Sequence, residues 1–159
     1  MRPLNQIEKY LGYKSAIDEY NELIRNNNIL SAYILALSIL EDSIISLFVS
    51  VRYLKNEINY DEWINRNKKW KTKGKGIISV GKMVDILSDY NYVNENLEDK
   101  KNILFLKIRK HLDDRNENIH NAMWNYKSIK KKDCREIIKS FNALKKFIYQ
   151  INKLTPQKK

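Results

Sequence analysis

Only four glycines and two prolines occur in 159 residues, and both prolines, Pro3 and Pro156, lie near the ends. These two residue types are the strongest interrupters of helices, so their scarcity leaves long stretches free to be helical. Apolar spacing fills those stretches. From Asn5 to about Asn26, the positions Tyr10, Tyr13, Ile17, Tyr20 and Ile24 recur at three and four residues, which is one helix face. "RNNN" at 25–28 ends it, because asparagine tolerates the left-handed backbone of a helix terminus. A second helix is expected from about Ile29 to Asn56, and a third from about Ile77 to Tyr90, closing in the turn-like "DYNYVNEN". A fourth begins near Leu97 and carries Leu104, Ile108 and Leu112 on one face, which Arg115 continues. The last, about Lys132 to Leu154, repeats Ile137, Phe141, Leu144, Ile148 and Ile151 with lysines opposite. No internal repeat is visible. The expectation is an all-α fold, an up-and-down bundle of four to five helices forming a single domain over residues 1–154, with a frayed basic tail at 155–159. A domain of this length buries roughly 70% of its unfolded surface, so a real core is available.

The second helix is the most apolar part of the chain. "ILSAYILALSILEDSIISLFVSV", 29–51, approaches the ~20 residues that span a bilayer. Glu41 and Asp42 stand at its middle, where two adjacent acids would be costly in hydrocarbon, so the reading is a buried helix of a bundle and no membrane. Ser31, Ser38, Asp42 and Ser46 form its polar stripe. Glu41 lies off that stripe, with Ile34, Leu37, Ile44 and Ile45 three, four or seven residues away, and therefore needs a partner.

The balance of 30 Lys and Arg against 19 Asp and Glu gives a net charge of +11. A field of this sign attracts polyanions, of which nucleic acid is the commonest in cytoplasm, although a composition rich in Lys and Asn also follows from an AT-rich genome. Residues 57–76 break the helical pattern, with a short helix expected at Tyr60 to Asn67. Six basic residues from Arg66 to Lys75 surround Trp70 without an acid among them. Lys68, Lys69, Trp70, Lys71 and Lys73 suit phosphate contact with base stacking, and Lys130 and Lys131 add a second basic cluster. The alternative is a solvated loop. The lone Cys134 excludes an internal disulfide and a cysteine-based zinc module, and no histidine lies near it in sequence to activate it. With no signal-like apolar run at the N-terminus, the expected compartment is the cytoplasm. "KGKGIISVGK", 73–82, lacks the spacing and the preceding strand of a phosphate-binding loop.

"DDRNENIHNAMW", 113–124, holds one of only two histidines. On an unbroken helix, Arg115 and His120 would point about 140° apart. Asp113, Asp114, Asn116 and Asn118 all cap helices or hold turns, so a break near 116–118 is expected, folding His120 back towards Arg115. Asp113 and Asp114 read as caps rather than metal ligands. Such a pair suits RNA cleavage without a cofactor. Histidine can remove the proton of a 2′-hydroxyl or protonate the leaving oxygen near neutrality, while arginine holds the phosphate and offsets its growing charge. His111, beside the Ile108–Leu112 face, reads as structural or surface.

"RNENIH", 115–120, resembles the R-x-x-x-x-H motif of the HEPN (higher eukaryotes and prokaryotes nucleotide-binding) domain, including the polar residue after the arginine. The architecture is similar over most of the chain, and the sequence likeness is confined to these six residues. The resemblance implies a helical bundle that homodimerises into a composite active site in a basic cleft. It also implies a metal-independent endoribonuclease of a toxin–antitoxin or phage-defence system, with an antitoxin or defence-system protein as partner and RNA as substrate. Arg115 and His120 would be catalytic, Asn116 would orient or contact the substrate, and Glu41 would correspond to the acid many members carry in the second helix. Toxins of this family silenced by a nucleotidyltransferase often carry tyrosine two residues after the histidine; here that residue is Ala122. The competing reading is a noncatalytic helical module that binds nucleic acid or a protein.

Overall fold

The computed structural model describes residues 4–54, 57, 71–72, 76–77, 79–89, 95–125 and 127–154. Five helices are present among them: α1 (Leu4–Arg25), α2 (Ile29–Leu54), α3 (Val80–Asp89), α4 (Glu95–Trp124) and α5 (Lys131–Leu154). The bundle is all-α apart from a two-residue antiparallel ladder. In it β1 (Lys71–Thr72) pairs with β2 (Gly76–Ile77) through Lys71 opposite Ile77 and Thr72 opposite Gly76. That ladder moves the start of α3 to Val80, later than periodicity alone suggests, and Ser79 caps it by accepting from the Lys82 amide at 3.2 Å. The expected helix at 60–67, the turn residues 90–94 and the tail 155–159 lie outside the described residues.

The α1–α2 junction ends as the asparagines require. Asn27 takes φ 60°. The Asn28 amide reaches back to the Leu23 carbonyl at 2.8 Å and the Asn27 amide to that of Ile24 at 3.2 Å, a Schellman closure. At the other turn, Asp133 accepts from the Lys130 amide at 2.7 Å and fixes the entry into α5.

α2 is the middle of the molecule. It packs on α1, α3, α4 and most extensively on α5. Leu40, Ile44 and Leu47 are wholly buried, each such side chain contributing roughly 2 kcal/mol through removal from water. By length and hydropathy α2 could cross a membrane, yet 67% of its most apolar stretch is covered by the rest of the fold. Its uncovered stripe differs from the expected one. Ser46 is buried and satisfies its hydroxyl on the Asp42 carbonyl at 2.9 Å, while Ile34, 44% exposed, joins Ser31, Ser38 and Asp42 outside. Of the expected inward faces, Tyr13, Ile17, Ile24 and Ile148 are half-buried, and the side chains of Tyr10 and Ile151 lie outside the described residues. Tyr20 of α1, Leu104, Ile108 and Leu112 of α4, and Ile137, Phe141 and Leu144 of α5 are all buried.

Candidate functional site

The helix break expected at 116–118 is absent. α4 runs without interruption from Glu95 to Trp124, so Asp113, Asp114, Asn116 and Asn118 stay helical. Two of them are engaged by side chains elsewhere. Asp113 meets the Nε of Arg109 at 3.3 Å, one turn back, and Asn118 donates through Nδ2 to the Tyr33 hydroxyl of α2 at 2.9 Å. A polar side chain that finds such a partner no longer competes for its own backbone. Tyr33 is nearly inaccessible, and burial raises its phenol above the ordinary value.

An unbroken α4 separates the expected pair. Arg115 and His120 leave the helix about 140° apart and about 7.5 Å apart along its axis. Arg115 turns inward to α2, where its Nη1 donates to Oε1 of Glu41. His120 is exposed on another face. Two groupings result. Arg115 and Glu41 form a half-buried ion pair, with 34% and 26% of their side chains accessible, flanked by the Asn118–Tyr33 bond. Asn116, His120 and Trp124 follow one another at four-residue intervals, which makes a single exposed ridge, with Trp124 83% exposed and Met123 beside it 77% exposed.

Lys130 and Lys131 are exposed at the α4–α5 turn, the end of the bundle that Trp124 occupies. Lys71 lies in β1, and Lys68, Lys69, Trp70 and Lys73 lie outside the described residues. Cys134 is fully buried under the start of α2, its Sγ 3.7 Å from the Ile29 carbonyl, and burial pushes its thiol up to about 11. A thiol of that kind is inert. His111 is half-buried and shares a hydrogen bond of 3.0 Å with Ser140 Oγ, and burial lowers its basicity. Among the described residues no three His, Cys, Asp or Glu side chains converge as metal ligands would.

Both acids of the apolar helix have partners within the fold. Asp42 accepts from the Tyr13 hydroxyl at 2.5 Å, and Ser43 donates to the Tyr13 oxygen at 3.2 Å. Burial first, and the Asp42 charge second, raise the Tyr13 phenol well above its usual range. The sequence signals only that Asn118, three residues after Arg115, shares its face; its partner Tyr33, 85 positions earlier, carries no such signal. The ridge through His120 and Trp124 has the same kind of signal at four residues.

No protein-family model, no curated protein and no solved structure matches this chain.

Proposed function

We propose that the chain is a cytoplasmic, metal-independent endoribonuclease of the HEPN type, working as a homodimer in a toxin–antitoxin or phage-defence setting. In the reaction, the 2′-oxygen attacks the adjacent phosphorus and the 5′-oxygen leaves. The products are a 2′,3′-cyclic phosphate and a 5′-hydroxyl end. His120 takes or returns the proton, Arg115 holds the non-bridging oxygens, and Asn116, one turn before His120 on the same ridge, positions either.

The observation that carries this reading is the Glu41–Arg115 pair. A carboxylate presented by the central helix fixes the direction of a guanidinium that still has a third of its side chain open to a ligand. Because one chain turns His120 away from that guanidinium, the reading requires a second copy, with Arg115 of one beside His120 of the other. The uncovered stripe of α2 around Ile34 and the exposed Met123 of α4 offer apolar surface for such a contact. Trp124, exposed one turn beyond His120, suits stacking of a base next to the scissile phosphate, with Lys130 and Lys131 on the backbone.

The separation of Arg115 from His120 also favours the second reading, a noncatalytic module in which the ion pair only ties α4 to α2. One experiment divides them. Wild type and His120→Ala are incubated with total RNA in EDTA, and fragment ends are read for cyclic phosphate. Cleavage by wild type alone, with both proteins equally stable, is the expected result; undiminished cleavage by His120→Ala removes the mechanism.

A further inference from the structure

The long α4 and α5 leave a groove between them on the side away from α2. Its rims are lysines spaced two turns apart on each helix, Lys100 and Lys107 on α4 facing Lys139 and Lys146 on α5, all exposed. Its floor is mainly apolar, built from Ile103, Leu104, Ala143 and Phe147, with Ile103 62% exposed, and the hydroxyl of the buried Ser140 among them is already bonded to His111. One acid lines it, Glu136, whose carboxylate is taken by Lys139 at 2.8 Å and held below the ordinary value by that contact. With Lys139 paired to that carboxylate, Lys100, Lys107 and Lys146 leave the rim with three net positive charges. Lys107 stands eight residues before Arg115, about 12 Å along the helix, so the groove is separate from the candidate site.

We propose that this groove docks an acidic amphipathic helix of a protein partner. Two packed helices present a trough into which a third helix fits by laying its apolar side chains on the floor. Acids flanking that apolar stripe then meet the lysine rows on both sides, which fixes register and speeds encounter. The floor decides against nucleic acid, since it offers aliphatic surface, and its one ring, Phe147, is 2% exposed and cannot stack on a base. The shape decides against a membrane surface, which rewards protruding apolar side chains rather than a lined concavity.

The test uses the full chain and a fluorescein-labelled 18-residue peptide with leucines at helical three- and four-residue spacing and glutamates elsewhere. Its partner is a scrambled peptide of identical composition. Binding is followed by fluorescence anisotropy. The amphipathic peptide is expected to bind at least about tenfold more tightly than the scramble. Lys107→Glu is expected to weaken it by about tenfold and Ile103→Ser by a similar factor, whereas Lys110→Glu, the same charge change at an exposed position outside the groove, leaves it within about twofold. Circular dichroism melts confirm that each variant is folded. Equal binding of the two peptides, or equal loss in Lys107→Glu and Lys110→Glu, overturns the proposal. So does a single-stranded RNA or an anionic vesicle that binds more tightly than the peptide with the same dependence on Ile103 and Lys107.

Discussion

Removing the carboxylate of Glu41 tests whether the central helix anchors Arg115. Two opposite charges in contact attract by about 4 kcal/mol at an effective dielectric constant near 20. Desolvation and lost side-chain freedom offset most of that. Exposed pairs retain about 0.2 to 1 kcal/mol, and breaking a buried pair costs about 3 to 5. With 26% and 34% of the two side chains accessible, this pair lies between the limits. Glu41→Gln should therefore cost about 1.5 kcal/mol, and a cycle completed with Arg115→Gln and the double variant should return a coupling of about 1 kcal/mol. In a domain of this size that coupling corresponds to roughly 3 °C in Tm. Urea unfolding followed by circular dichroism, at one fixed protein concentration for all four proteins, measures it. The coupling should shrink in 1 M salt, where the screening length falls to about 3 Å. A coupling below about 0.3 kcal/mol would refute the anchoring argument, and Glu41 would then have no claim on the orientation of the arginine.

His111 loses basicity on folding, so the unfolded chain binds more protons just below the ordinary histidine value. Its contribution is present above about pH 6.5 and lost as pH falls through its folded value. Urea midpoints should thus fall between pH 7 and pH 5.5, and His111→Gln should flatten that slope. Trp124→Ala, at an 83% exposed position, should leave stability within about 0.5 kcal/mol. If the ring stacks on a base, the same variant weakens RNA binding by about tenfold in a filter assay. Cys134 is fully buried with its thiol raised, so it should resist a thiol reagent until urea unfolds the chain, then react in stoichiometric amount. Labelling of the native protein at the rate of a free thiol contradicts the packing described for α5.

Helices were the legible part of this sequence because breakers are scarce and apolar residues keep a strict period. The boundary at Asn27 followed from residue chemistry alone. The expected break in α4 did not occur for a reason invisible in one dimension. Asn118 caps nothing because Tyr33, 85 positions earlier, takes its amide. Asp113 likewise is drawn to Arg109, which also reaches the Asp85 carboxylate at 3.1 Å and the Gly81 carbonyl at 3.0 Å. A Cβ at Gly81 would stand 3.2 Å from that guanidinium, so a side chain there would require the end of Arg109 to shift by a few tenths of an ångström. The need of Glu41 for a partner was readable from its position off the polar stripe, and the partner is Arg115. The lysine-rimmed groove was not readable, since its two rows are ordinary seven-residue spacings on helices whose adjacency only the fold reveals.

The partnership of α2 with α5 governs how the chain is born. α2 finishes at Leu54, and the helix that covers it most ends at Leu154. At about 5 to 20 residues per second, a ribosome needs roughly 5 to 20 s to supply those hundred residues. Through much of that interval the nascent chain carries a long apolar helix whose principal cover is not yet made, so the burial of α2 is completed only when the last helix has been supplied.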